Sequence, residues 1–445
     1  MRKEDENRLD RRDKIIDAAV FALLLLAVSA VTLILFYHQT LADPEVSYKS
    51  DMKAYILEMQ GLDSGYSFPY PVFFKTAAFF NLFTSPELAV ALATMLLNSL
   101  GIVFIKLALN RLILQTCENG GGPLKKNWST GILLSVLSVS LFFISMLYPP
   151  PGIYLPGIRF KYVGVFTANP FHNATYMAAR PFAVLAFLWY VKLLPVYERG
   201  IRMRNSGKSD DGEPLLSDYV LFSVFLLAAT MTKPSFTIIM VGTAGLIMLY
   251  RLFRSRFRNL VPAIQLGLCF VPTFIDLLYQ YRGVFVGSDE AEGGIGFTFG
   301  EIWGYYCDNI PLAICLAMGF PLLVLVLNFR ELKKDTLYRF SWQVYLVGLC
   351  MAFFLYEKGF RKPDFNFSWG YMYGIFFCHM SALTVLLRAT MREQKQQEQH
   401  DIVQKKEIRY CLPRMLICVQ WLVYLCHVVC GLGYFISIWH GDIYY

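Results

Sequence analysis

Charge is scarce in this chain. Asp, Glu, Lys and Arg make up 17% of 445 residues, against 56% hydrophobic residues, a balance that excludes an ordinary soluble domain. Zinc-ligand spacing, a Gly-rich phosphate loop and RNA-binding motifs are missing, so the net charge of +8 is no sign of a nucleic-acid partner. The ten cysteines fall mostly inside apolar runs, with Cys307 alone expected outside, so no disulfide framework is implied. Cys426, His427 and Cys430 resemble a metal cluster on one helix, yet read better as small packing residues of the last span. The inner loops are too short for a nucleotide-binding domain.

What is present is apolar sequence in lengths that cross a bilayer. The charged start MRKEDENRLDRRDK is too long for a secretory n-region, and the apolar run 15–37 after it has full membrane length and no cleavage signal. Further spans are expected near 87–110, 130–148, 175–194, 217–232, 235–251, 259–279, 310–328, 341–356, 370–388 and 414–438. The reading is an all-α, polytopic transmembrane bundle of about eleven spans forming one domain over 1–445. Most of the 41 Lys and Arg then lie on one side, which places the N-terminus in the cytoplasm and the C-terminus outside. The segment 71–84 is too short to span and holds Lys75, so it is expected as an interfacial or re-entrant helix within the first external loop, 38–85. The stretches 195–217 and 389–413 read as cytoplasmic connectors: 200–218 is Gly/Ser/Asp-rich and reads as disordered, and 392–414 is a Gln-, Glu- and Lys-rich solvated helix or linker.

The external loops carry cations against this gradient: Lys49, Lys53, Lys75, Arg159, Lys161, Arg180, Lys233, Arg282, Lys358, Arg361 and Lys362. Cations so placed have a local reason, and an anionic ligand is the simplest one. Asp51 follows the first span and opens an amphipathic stretch through Met52, Tyr55, Ile56 and Met59. Ser50 as N-cap with Asp51 in the first turn is the structural alternative, and Glu58 and Asp63 are alternative carboxylates. Arg361 and Lys362 form a charged knot with Glu357 and Lys358 beside Asp364, Asn366 and Trp369, and an arginine fork suits phosphate. Arg159 and Lys161 precede His172, Tyr176 and Arg180, whose spacing of i, i+4 and i+8 is read as one helix face for a sugar or a phosphate, or equally as a cap on the span. Lys233 sits in a Thr-Lys-Pro turn at the membrane boundary, where Pro234 breaks the hairpin. The acidic run Gly287–Gly296 reads as a mobile lid or, better, as a solvated loop, and Asn173-Ala-Thr175 and Asn366-Phe-Ser368 are sequon-like.

Four of these features together resemble the GT-C superfamily, membrane glycosyltransferases that use polyprenyl-phosphate-linked sugars. They are one span followed by an acidic external loop (Asp51), Tyr70-Pro71 before an interfacial helix, the helix start Ser85-Pro86-Glu87-Leu88, and the hairpin 226–232 closed by Lys233. The resemblance covers about 250 N-terminal residues. Asp51 departs from it by standing alone in Ser-Asp-Met, and no soluble external domain follows the bundle.

The resemblance implies an inverting transfer of a hexose or pentose from a polyprenyl-phosphate donor to a glycan or lipid acceptor in cell-envelope polysaccharide synthesis. Asp51 would be the base, and Lys233, Arg361, Lys362 or Arg159 would stabilise the departing phosphate. Tyr70 and Trp369 would line the sugar and the prenyl chain. No cofactor is required; a divalent metal is optional, since a monophosphate leaving group carries little charge. Membrane lipid is the other expected partner, and a bacterial plasma membrane the expected location. A transporter or flippase is the alternative, which predicts charges deep within spans and an internal repeat. An O-antigen-type polymerase or ligase is the third, discriminated by the acidic loop after the first span.

Overall fold

The computed structural model describes residues 2–118, 128–148, 160, 163–206, 216–285, 294–401 and 411–442. Its helices are α1 (Arg2–Leu41), α2 (Met52–Met59), α3 (Pro71–Asn81), α4 (Pro86–Glu118), α5 (Trp128–Ser140), α6 (Ala174–Ser206), α7 (Leu216–Thr230) and α8 (Ser235–Arg254). They continue with α9 (Leu260–Leu268), α10 (Val271–Phe285), α11 (Glu301–Gly304), α12 (Ile310–Leu327), α13 (Glu331–Lys334), α14 (Thr336–Phe354), α15 (Ser368–Asp401) and α16 (Cys411–Trp439). Two three-residue strands, β1 (Ile295–Phe297) and β2 (Leu355–Glu357), pair antiparallel.

The protein is an all-α membrane bundle. Eight helices are long and apolar enough to cross a bilayer, and a ninth span is formed if α9 and α10, bent by 52° at their break, count as one. Helices α5 and α7 fall where two further spans are expected, but thirteen and fifteen residues reach only about 20 and 23 Å against a hydrocarbon core of about 30 Å. Eleven-residue α3 is shorter still. Large apolar side chains stay exposed on α1, α8, α10 and α16, among them Leu23, Leu26, Leu249, Leu278, Leu425 and Val429, which is the surface a lipid-facing helix presents.

Helix α15 is the axis of the bundle, its apolar window wholly buried. It packs antiparallel on α14 through reciprocal glycines. A methyl group on Gly348 would lie 3.0 Å from the Tyr371 Cα, and one on Gly374 2.7 Å from the Tyr345 Cα. Each glycine sits one turn along from the other pair's tyrosine, and small residues of this kind let membrane helices approach closely. Gly431 on α16 is the tightest case, since a Cβ there would overlap the Phe143 carbonyl.

Polar side chains inside the bundle are anchored. Lys106 of α4 donates to Asp17 of α1 and to the Gly131 carbonyl of α5, both at 2.8 Å, while Ser135 donates to the same Asp17 oxygen at 3.0 Å. His427 is held by backbone on both ring nitrogens: Nδ1 lies 2.6 Å from the Ser145 carbonyl and Nε2 accepts from Phe320 N–H at 3.0 Å. That bond is available because the Leu316 carbonyl, the usual helical acceptor for Phe320, is taken by Leu147 N–H at 2.9 Å.

The expected connectors are partly helical. Helix α6 runs on to Ser206 and α15 to Asp401, because the Arg, Glu, Lys, Gln and Met beyond their apolar parts are good helix formers. The acidic run expected as a loop over 287–296 lies outside the described residues except at 294–296, where β1 begins. The sheet ties that stretch to 355–357 by the register Ile295 with Glu357 and Phe297 with Leu355.

Candidate functional site

Four helix starts meet at one end of the bundle. Asp51 is the N-cap of α2, Asn173 precedes α6, Lys233 and Pro234 precede α8, and Trp369 is the second residue of α15. Their macrodipoles bias this end toward negative charge.

Asp51 occupies a cap position but makes no capping bond. Its Oδ2 accepts instead from Tyr55 Oη and from Asn173 Nδ2, both at 3.1 Å, which leaves Oδ1 without a protein donor among the described residues. The residue is exposed, while protein lies close around the carboxyl on its inner side. That crowding raises its pKa from the ordinary carboxylate range, and the positive charge of Lys233 and the Tyr55 hydrogen bond oppose the rise. The exposure leaves Asp51 open to solvent and to a ligand. The structural alternative of a simple helix start is therefore only half met: the backbone caps, and the side chain does something else.

Asn173 joins this acid to a buried cation. Lys233 Nζ donates to Asn173 Oδ1 at 3.0 Å and to Thr175 Oγ1 at 3.1 Å. Thr175 also donates to Asn173 Oδ1 at 3.1 Å and lies 3.2 Å from Tyr55 Oη. Lys233 is 7% exposed, and its ammonium sits 4.7 Å over the Trp369 ring, an arrangement favourable for a cation. Burial drives its pKa down to about 7, Asp51 pulls it up, and Arg361 pushes it further down. Two neutral acceptors occupy two of its three N–H donors.

Lys233 and Trp369 form part of the wall of a cavity of about 380 Å³. Tyr70, Glu357, Arg361 and Asn366 line it too, with apolar surface from Ile238, Ile239, Leu277, Ile295 and Met351. Asp51 lies beside this cavity, one hydrogen-bonded residue away from Lys233. Arg361 is partly engaged, 3.1 Å from Asp364 and 3.7 Å from Glu357. Asn366 donates to Glu357 and accepts from Trp369 Nε1 at 3.2 Å, which fixes the indole under Lys233. Phe365, between these groups and α15, holds a left-handed backbone with φ 56° and is buried against Trp303 and Tyr306. A bulky residue in that region is strained, and such strain persists where packing over-determines it.

The structure brings together Asp51, Lys233, Tyr70, Trp369 and Arg361. His172 and Tyr176 also reach Trp369, at ring separations of 5.6 and 5.8 Å, and burial with the charges of Lys233 and Lys49 drives His172 down to about 3, so it stays neutral. Glu58 lines a neighbouring crevice of about 340 Å³ with Lys75, and Tyr70 is part of both walls.

Three candidates lie apart from this cluster. Arg180 turns away from the cluster: its guanidinium lies 4.7 and 4.9 Å from the Phe142 and Phe376 rings and donates to the Ala168 carbonyl at 3.1 Å. A spacing of i, i+4, i+8 rotates about 80° on a 3.6-residue helix, and His172 precedes α6 altogether, so Arg180 is carried off the side on which His172 and Tyr176 meet Trp369. Lys362 points outward to Glu301 at 2.6 Å. Asp63 closes its own turn by accepting from Gly65 N–H at 2.8 Å. Arg159 and Lys161 lie outside the described residues.

Sequence reasoning missed Asn173 as the link. Its sequon pattern masked a second signal, an Asn immediately before a helix, which is an N-cap: Oδ1 accepts from Tyr176 N–H at 3.0 Å. The residue is 1% exposed. Comparison with family models, with characterised proteins and with solved structures finds no match to this chain.

Proposed function

We propose that the protein is an inverting, GT-C-like glycosyltransferase, which moves a sugar from a polyprenyl-phosphate carrier to a glycan or lipid acceptor at the external face, in a bacterial plasma membrane. The observation that carries this reading is the solvent-open Asp51, with Oδ1 unused among the described residues, one hydrogen-bonded residue from a buried cation on the wall of a largely apolar cavity. The acceptor hydroxyl attacks the anomeric carbon from the side opposite the phosphate. Its proton passes to Asp51 Oδ1, and the bond from the anomeric carbon to the phosphate oxygen breaks, with the electron pair leaving on the prenyl phosphate. Asp51 needs only a position and a pKa raised toward neutrality to serve as base. Lys233, Arg361 and the starts of α6, α8 and α15 are aimed where the phosphate charge develops, and the apolar wall suits the first prenyl units. Glycan or lipid acceptors have a separate approach through the crevice of Glu58 and Lys75.

The test is turnover by the purified protein in liposomes supplied with a panel of prenyl-phosphate hexoses and pentoses, read as prenyl phosphate released. Asp51→Asn should lose about 10²–10⁴-fold in rate while still binding the lipid phosphate. Full turnover by that variant refutes Asp51 as base. Intact donor crossing the bilayer without cleavage replaces the transferase reading with the flippase.

A further inference from the structure

We propose a second ligand site at the opposite end of the bundle, built for a phosphate-bearing anion. Helices α8 and α14 connect the two ends. Helix α8 starts beside Lys233 and ends at Arg254, and antiparallel α14 starts at Thr336 and ends near the first cavity at Met351. Twenty residues of α8 separate the two sites by about 30 Å.

There α6, α8, α13 and α14 line an open concavity of about 540 Å³ whose charged walls are Arg251, Arg254, Lys333, Lys334, Arg339 and Glu198. Five positive charges face one negative. Glu198 is already engaged, bonded by Arg251 and 3.8 Å from Arg339, so it orients these two arginines without neutralising the rest. Arg254, Lys333 and Lys334 have no carboxylate within 4 Å among the described residues. Arg254 makes only a long bond, 3.4 Å, to Tyr250 Oη.

The positive-inside tendency accounts for cations at this end of the bundle. It does not account for five of them converging on one concavity with a single carboxylate among them, an arrangement whose positive potential favours an anion. Arginine forks with adjacent ammonium groups match the several oxygens of a phosphate, and the Ser255 and Thr336 side chains add polar lining. The cavity also opens beside an apolar strip on α8, where Leu246, Leu249 and Phe253 are 60%, 52% and 66% exposed. A phosphate headgroup seated in the cavity would leave acyl chains along that strip, as basic pockets between membrane helices do with anionic lipids. A soluble phosphate would use the cavity alone.

The experiment uses the full chain and two probes. One is pyrophosphate added to protein in neutral detergent. The other is mixed micelles of phosphatidylglycerol, with phosphatidylcholine as reference. Binding is read by native mass spectrometry and by the shift in melting temperature, since a ligand of the folded state stabilises it. Arg254→Gln with Lys334→Gln is the site variant, chosen because both side chains are exposed and neither pairs with Glu198. Its melting temperature in phosphatidylcholine verifies the fold. Arg256→Gln with Arg258→Gln removes two exposed charges at the same end but outside the cavity.

Affinity about tenfold weaker in the site variant, about 1.4 kcal/mol, with the outside variant unchanged, establishes the site. Loss seen with phosphatidylglycerol assigns a lipid headgroup, and loss seen with pyrophosphate assigns a soluble phosphate. Binding of neither probe, binding unaffected by the site variant, or equal loss in both variants overturns the proposal.

Discussion

Lys233→Met should separate stability from activity, and the size of the effect follows from where the ammonium sits. The folded protein holds this group at a pKa of about 7 because burial disfavours its charge, whereas an unfolded lysine titrates near 10.4. Below pH 7 both states carry the proton, and the folded state bears the whole cost of burying it. Between about 7 and 10.4 the unfolded chain binds the proton and the folded chain does not, so stability rises with pH. Above that range neither state is charged and the cost is gone. At about 1.36 kcal/mol per pKa unit, the difference amounts to about 4–5 kcal/mol. This is a ceiling, because water entering the adjacent cavity screens the charge. Other groups titrate over the same range, so the quantity to measure is the difference between the wild type and Lys233→Met. Melting temperatures in neutral detergent from pH 6 to 10 should show the variant more stable by its largest margin near pH 6, with the margin shrinking above pH 7. Parallel pH profiles for the two proteins would refute the buried, charge-strained lysine. Loss of transfer by the more stable variant is the further expectation of the proposed function, in line with sites that trade stability for activity.

Gly374→Ala places a methyl against the Tyr345 backbone and should cost about 1–3 kcal/mol, whereas Gly245→Ala, with open space around it, should hold or raise the melting temperature. Tyr55→Phe removes a hydrogen bond that lowers the Asp51 pKa, so the acid limb of the pH–rate profile should move to higher pH; an unmoved limb counts against Asp51 as base. Expressed in a eukaryotic secretory host, the protein should carry no glycan at Asn173, buried at 1% exposure, and Asn173→Gln should leave the pattern of glycosidase-sensitive gel bands unchanged.

The bundle was legible because hydrophobic length is a local property of sequence, and spans of that length permit only helices in lipid. The helix start at Ser85-Pro86 was legible for the same reason: Ser85 Oγ accepts from Leu88 N–H at 3.3 Å with Pro86 in the first turn. Asp51, Lys233 and Trp369 stood out as polar or aromatic residues at the edges of apolar runs, and the fold gathers them at one end. Their connection was not legible. Asn173 joins residues 122 and 60 positions away, and no local pattern carries that distance. Arg180 failed for a different reason, since a spacing that starts before the helix and drifts with each turn does not mark a face. The bent pair α9–α10 was hidden because Cys269 and Phe270 continue the apolar run while the chain turns.

Two cations are buried near the same helix start, and the contrast between them separates packing from function. Arg180 lies among three aromatic rings with its Nη2 on the Ala168 carbonyl and borders none of the cavities described. Its rings and carbonyl make it a structural cation, held by quadrupoles where an ion pair would demand a second buried charge. Lys233 could have been neutralised the simple way, by direct contact with Asp51. Instead Asn173 stands between them, accepting from the ammonium through Oδ1 and donating to the carboxylate through Nδ2. Each charge feels the other without cancelling it, the carboxylate keeps Oδ1 open, and the ammonium keeps a donor at the cavity wall. An arrangement selected for stability alone would close that gap. Asn173→Asp should therefore draw Lys233 into a direct ion pair, raise the lysine pKa and abolish transfer while the fold is kept; a variant that transfers at the wild-type rate would show that the separation of the two charges has no catalytic role.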